Sequence, residues 1–254
     1  VLALDASPVV IQVPEMGDRF WAIAVLDART DSIARIGNMY GSAPGFYLVV
    51  GPRWVGEIPP GIRRVFASRT GTVAVTPRIE AVADAEHLID QVDVYPVAEF
   101  DGCPQRGHVR WQAPPVRAPM PGQVQGAFRQ LLPAALASAD ALPGEAARYR
   151  ELMAVLKATR ADARLARAFD AGVAQAEHEL LAPLVDIHRF GHALPHHWST
   201  LTNTANFGTD YFARALIGRG DPLQPLHGEV ASYYLGCDAD GDPLDARQCY
   251  ALRF

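Results

Sequence analysis

The chain has almost no lysine. Lys157 is the only one among 254 residues, and arginine carries the rest of the positive side-chain charge. Lys and Arg together number 23 against 28 Asp and Glu, a formal net charge of −5. A nucleic-acid or anionic-membrane surface needs clustered basic residues. No such cluster is present, so no nucleic-acid partner is expected. The arginine bias fits a GC-rich bacterial genome, which is an association and not physics. Cysteine is scarce too. Cys103, Cys237 and Cys249 are an odd count and no disulfide framework. Cys237 and Cys249 flank a turn and could face each other across a hairpin, which would imply an oxidising compartment. The preferred reading is two half-buried thiols. No apolar run approaches the length of about 20 residues that spans a bilayer, so no integral membrane segment is expected. No signal peptide is visible. The chain opens on Val1-Leu-Ala-Leu-Asp5, without Met or a charged n-region, so a leader could have been removed or omitted. Finally, there is no Gly-x-Ser-x-Gly elbow, phosphate-binding loop or dinucleotide fingerprint, and no cysteine in a nucleophile context. No cofactor is expected, and no motif names a reaction.

What is present is apolar: 49% of the residues are hydrophobic, enough for one large core or two modest ones. One run organises the rest, Gly37 to Gly61. Its centre, Phe46 to Val50, is aromatic and β-branched, and Gly and Pro bound it on both sides. That pattern predicts a buried strand between tight turns. Further strands are predicted at Pro8–Val13, Arg19–Asp27, Ser32–Ile36, Arg63–Arg69 and Thr72–Pro77. Arg19–Asp27 is apolar on both faces and belongs in the centre of its sheet. Closely spaced strands joined by turns imply an antiparallel barrel or sandwich. Asp84 is a candidate N-cap for a short helix to about Val92.

The chain then divides into residues 1–102, an antiparallel β-domain; 103–123, a Pro- and Arg-rich linker or wrapping loop; 124–190, a helical segment; and 191–254, a partial β-rich domain. The overall class is α+β. Within the helical segment, Pro143-Gly-Glu145 starts one helix and Asp162 caps the next, whose stripe is Leu165, Phe169, Val173, Ala176 and Leu180. Such stripes could pack on each other, on the β-domain or across a homodimer. A segment near Phe207–Ile217 could be a helix, and Val230–Cys237 with Gln248–Phe254 reads as a hairpin.

Four groups of residues could carry chemistry. Asp238-Ala-Asp-Gly-Asp242 spaces its carboxylates as a calcium loop does. Pro243 and Cys249 stand where that loop needs Gly and a bidentate Glu, so an Asp/Gly turn is the preferred reading. His188, His192, His196 and His197 could share a helix face and bind zinc, but Gly191 and Pro195 break the helix, so no metal site is expected. Arg19, Trp21 and Asp27 share a strand. Asp210, Tyr211 and Arg214 share a segment in which Asp210 and Arg214 would pair at i and i+4. The preferred reading of both sets is structural ion pairing. If they face a cavity, Arg19, Trp21, Tyr40, Tyr211 and Arg214 suit an anionic or polyhydroxylated ligand, and Asp27 and Asp210 are the catalytic candidates.

Val9-Val-Ile-Gln-Val-Pro14, Gly17-Asp-Arg-Phe-Trp21, Leu26-Asp27, Gly45-Phe-Tyr-Leu-Val-Val-Gly-Pro-Arg-Trp54 and Tyr95-Pro-Val-Ala-Glu-Phe-Asp-Gly102 resemble a bacterial domain of unknown function, family 1254. Phe207-Gly-Thr-Asp-Tyr-Phe-Ala-Arg214, Asp238-Ala-Asp-Gly-Asp-Pro-Leu244 and Tyr250-Ala-Leu-Arg-Phe254 resemble its partner domain, family 1214. The resemblance implies two β-rich domains bridged by helices, in proteins that are often exported, so a periplasmic or secreted location. It implies no agreed activity. The segments that usually precede and follow these motifs are missing, which implies a fragment or a divergent member. Three functions are compatible with this pattern. The first is binding of a small polar or carbohydrate-like ligand. The second is a carboxylate-based hydrolase or lyase, and the third a dimeric scaffold joined through the helical segment.

Overall fold

In the computed structural model of the chain, residues 1–111, 125–181, 191–220 and 225–252 are described. The first strands are β1 (Leu2–Ala3), β2 (Val9–Val13), β3 (Trp21–Asp27), β4 (Ser32–Gly37), β5 (Gly45–Val50), β6 (Ile62–Ala67), β7 (Thr72–Ile79) and β8 (Asp93–Pro96). They form two four-stranded sheets, ordered β1-β7-β3-β4 and β6-β5-β2-β8. Neither closes into a barrel, so the sandwich alternative is the one observed.

Strand β5 lies between β2 and β6, as its apolar run and Gly/Pro corners predict. Tyr47, Leu48, Val49 and Val50 are all buried. Every residue of β2 and of β3 is buried as well. Alternate side chains of a strand point to opposite faces, so a strand buried throughout must be covered on both. Val9, Ile11, Val13, Trp21, Ile23, Val25, Tyr47 and Val49 meet in the main core. On the second sheet's other face, Val10, Leu48, Val50 and Tyr95 are covered by Phe46, Trp54, Ile62, Val65, Val97 and Phe100. Full burial of one such aliphatic side chain contributes about 1.5–3 kcal/mol.

Two pairings differ from the sequence pattern. β5 and β6 run parallel, against the all-antiparallel expectation. The proline-bearing connection 51–61 carries the chain back along the sheet instead of folding it over. β6 and β7 do not pair with each other either, and lie in different sheets. The corner between them is held by hydroxyls. Ser68 Oγ donates to the Thr70 carbonyl at 2.8 Å, Thr70 Oγ1 donates to the Thr72 carbonyl at 2.7 Å and accepts from Ala28 N–H at 3.0 Å. These bonds satisfy buried backbone that the sheets leave unpaired at the crossing.

Helix α1 (Ala85–Ile89) begins after Asp84, but the Asp84 side chain makes no cap bond and accepts from Arg19 instead. α2 (Gln125–Ala137), α3 (Ala146–Ala161) and α4 (Ala163–Ala176) follow, with a π turn at Glu177–Leu181. Asp162 caps α4 as predicted, accepting from Arg164 N–H at 2.7 Å. The predicted α4 stripe is half-covered: Phe169 and Val173 are half-buried and Leu165 is exposed. Linker residues 112–123 and the Leu180 side chain lie outside the described residues.

The C-terminal part contains β9 (His192–Ala193), β10 (Trp198–Thr200), α5 (Tyr211–Gly220) and β11 (Tyr233–Leu235). The partner of Tyr233–Leu235 is not the predicted one. It pairs antiparallel with β10, and residues 248–252 form no strand. Asp238 explains the difference. Its Oδ1 accepts from both Asp240 and Asp242 N–H at 3.0 Å, closing a tight turn that returns the chain at once. The three cysteines are free thiols, with Cys103 and Cys249 exposed.

Candidate functional site

The β3–β4 hairpin ends in Asp27-Ala-Arg-Thr-Asp31, and its tip is built by one carboxylate. Asp27 Oδ1 accepts from Arg29 N–H at 2.8 Å and Asp31 N–H at 3.0 Å. That bonding locks the turn, with Thr30 in the left-handed region at φ 63°. Burial pushes the Asp27 carboxyl above its ordinary range, and the two backbone bonds pull the other way. The locked tip projects Arg29 and Asp31 away from the sheet, into the second half of the chain.

Arg29 donates to Glu145 Oε1 at 2.8 Å and to the Tyr149 hydroxyl at 2.7 Å. The Arg29 and Glu145 side chains are only 5% and 3% exposed, so this ion pair is nearly dry. Glu145 also accepts from the Tyr211 hydroxyl, and from Leu142 N–H at 2.7 Å. Burial alone would raise the Glu145 carboxyl, but these bonds and the Arg29 charge outweigh it and set it at about 2. Tyr211 in turn sits beneath the Arg148 guanidinium, 5.2 Å from the ring centroid. On the other side of the tip, Asp31 Oδ1 accepts from Phe207 N–H at 2.5 Å and Gly208 N–H at 3.3 Å. Asp31 Oδ2 pairs with Arg214 at 3.0 Å. The hairpin tip is thus a polar clasp that joins β3–β4, α3 and α5.

Beside the clasp lies an open cleft of about 280 Å³, lined by Arg35, Tyr40, Asn203, Asn206, Leu226 and His227 among others. Tyr40 reaches it from the short 3-10 turn after β4, and its hydroxyl donates to Glu229 Oε1 at 2.8 Å. Burial, with Glu229 alongside, pushes the Tyr40 phenol up to about 12, so it stays a donor. Glu229 Oε2 and His227 Nδ1 are buried without a partner among the described residues. Buried polar atoms are nearly always paired, so each calls for an explanation.

The sequence-predicted residues separate into three places. Asp27, Tyr211 and Arg214 meet around the clasp, and Tyr40 lines the neighbouring cleft. Asp210 caps α5 through Ala213 N–H at 3.0 Å, and lines a second cleft with His192 and Asn203 that Arg214 does not line. Its predicted i, i+4 partner Arg214 is committed to Asp31. Trp21 is 2% exposed in the main core, and Arg19 pairs with Asp84 on the outer surface. His192 lies in β9 and His196 and His197 in a turn with positive φ, not on one helix face. His188 lies outside the described residues. No group of three metal-ligating side chains occurs among the described residues. Sequence reasoning missed Arg29, Asp31, Glu145, His227 and Glu229. The alternation Asp27-x-Arg29-x-Asp31 was the available signal for the first two.

Residues 1–96 match the family model described as "Protein of unknown function (DUF1254)". The resemblance of residues 207–254 to family 1214 lies outside that match. Among solved structures, the chain is similar to the VPA0106 protein from Vibrio parahaemolyticus. The identity is 18%, the TM-score 0.48, and the alignment covers 96% of this chain and 61% of that one. The chain therefore spans less than two thirds of that protein's length. No curated protein matches it. Among the described residues, no helix is long and apolar enough to cross a membrane.

Proposed function

We propose that the chain binds a small polar, carbohydrate-like ligand in the cleft between the β4 turn and residues 202–228. The observation that carries this reading is the lining of that cleft by Arg35, Tyr40, Asn203, Asn206 and His227, with two buried atoms that lack a partner among the described residues, His227 Nδ1 and Glu229 Oε2, on the same segment. A carboxylate oxygen accepts only, and an imidazole nitrogen either donates or accepts. Arg35 and the Asn203 and Asn206 side chains add polar groups at the rim, and the Tyr40 ring and Leu226 supply apolar surface. A few polar groups set in a partly apolar concavity are the usual make-up of a small-molecule site.

Thermal shift against a panel of monosaccharides and small carboxylates tests this. A binder at one hundred times its dissociation constant adds about 2.7 kcal/mol to stability. At least one sugar should raise the melting temperature, and Tyr40→Phe and His227→Ala should each weaken that sugar's binding about tenfold. A flat response across the panel, or a binder indifferent to both substitutions, rejects the reading.

A further inference from the structure

A second cluster lies apart from both the clasp and the cleft. Strand β8 is an edge of its sheet, and residues 105–111 run along it as a strap. Gln12 anchors one end: its side-chain NH₂ donates to the Gln105 carbonyl at 3.0 Å, and its Oε1 accepts from Gln105 N–H at 2.6 Å. Trp111 anchors the other, donating from Nε1 to the Val92 carbonyl at 2.8 Å. Between them sits His108. Its Nδ1 is 2.9 Å from Asp93 Oδ2, and its Nε2 is 3.0 Å from Glu99 Oε2.

That geometry fixes the protonation state. A neutral imidazole carries one N–H, so its other nitrogen would aim a lone pair at a carboxylate oxygen. Only the imidazolium donates to both. Asp93 is 2% exposed and also accepts from Val94, His108 and Val109 N–H, so it cannot turn away. The Glu99 side chain is 53% exposed and can. The Tyr95 ring on β8 lies tilted against the His108 ring, with centroids 5.0 Å apart, and its buried hydroxyl offers the imidazolium no competing charge. Asp101 adds negative charge on the Tyr95 side, and Arg106 and Arg110 flank His108 on the strap itself.

We propose that residues 105–111 form a protonation-cinched strap, in which His108 imidazolium ties the strap to both Asp93 and Glu99 and lets go of Glu99 when it loses its proton. The hydrogen bond and charge of Asp93, helped by Glu99, raise the His108 pKa above its ordinary value of 6.5. A group raised on folding stabilises most below its unfolded pKa, and that contribution is lost as pH rises through the folded value. The strap is therefore tightest in acid and loses its tie to Glu99 as pH rises, while the bonds from His108 and Val109 N–H to Asp93 remain.

The test is ¹⁵N chemical shifts of the His108 ring, with hydrogen exchange of the peptide 103–111, from pH 5 to pH 9. Both ring nitrogens should stay protonated above the free-histidine midpoint. After correction for intrinsic exchange, protection of 105–111 should fall about tenfold for each pH unit by which the ring midpoint exceeds that of free histidine, while β3 holds steady. His108→Gln should abolish that pH dependence. Should that variant not fold, Glu99→Gln should lower the ring midpoint. A neutral ring at pH 6, or strap protection constant across the range, overturns the proposal.

Discussion

Ile23 and Leu48, in the two-sheet body, are 0% exposed, whereas Leu165 and Met153, on the helices, are 47% and 42% exposed. The two halves of the molecule cohere by different means. The body closes two sheets on an apolar core in which almost no charge takes part. Among the described residues, the helical and C-terminal half buries few large apolar side chains: Leu156 on α3, and Leu201, Phe207 and Ile217 around α5. Among the described contacts it is joined to the body by the polar clasp at the β3–β4 tip, by Tyr40–Glu229, by the Thr70–Ala139 bridge and by Ser32 N–H on the Ala205 carbonyl. Apolar burial is non-directional and tolerates repacking. A buried ion pair is directional, and removing one partner strands the other. The first half should therefore fail as a whole, and the second should fail by release.

The largest effect is expected in the body. Leu48→Ala leaves a cavity in a strand covered on both faces, and Leu→Ala in such places costs about 2–5 kcal/mol. We expect a loss of about 4 kcal/mol, seen as one shifted transition in urea. Two separated transitions within the sheets, one seen in β3 and another in β5, would break the comparison, because the body would then not be one cooperative unit.

Next comes the clasp. Arg29→Met keeps the bulk of the side chain but leaves the buried Glu145 carboxylate without its counter-ion, a loss of about 3 kcal/mol. Here the pattern matters more than the size. Limited proteolysis should open the chain after residue 111 while the sheets stay resistant. Adding Glu145→Leu should recover much of the loss, since a well-packed apolar pair often replaces a buried ion pair without cost. If Arg29→Met lowers sheet and helix protection equally, the clasp is not the joint between the halves.

These two regions were also unequally legible. Phe46 to Val50 and Trp21 to Leu26 were readable because burial on both faces leaves no polar residue to blur the run. Asp162 was readable because a cap acts on N–H groups two and three residues away. The direction of β6 was not, since periodicity says which face is buried and nothing about which way a strand runs. Strands of two or three residues, such as β9 and β11, hold too little pattern to register. Asp27, Tyr211 and Arg214 were singled out from their residue types, and they do gather at the clasp. Their partners were hidden. Glu145 lies 116 residues from Arg29, and Asp31 lies 183 from Arg214. No local spacing encodes a meeting made by the fold, so the clasp and the Tyr40–Glu229 pair become visible only in three dimensions.

The smallest effect is a pH slope, and it separates the halves without any large perturbation. Glu145 stands at about 2 in the folded chain, below its ordinary 4.5. A carboxyl lowered by folding stabilises above its unfolded pKa, and the contribution drains away as pH falls toward the folded value. Between pH 5 and pH 3 the clasp should lose about 2 kcal/mol, because each pH unit travelled between the unfolded and folded values removes roughly 1.4 kcal/mol. Urea melts at pH 5, 4 and 3, followed by hydrogen exchange in α3 and in β3, measure this directly. Protection in α3 should fall first and further. In Arg29→Met the α3 slope should flatten, because the bonds that lower the Glu145 carboxyl are then reduced to those from Tyr211 and Leu142 N–H. An unchanged slope in that variant would mean that other carboxylates hold the halves together, and that Glu145 is a bystander in a joint made elsewhere.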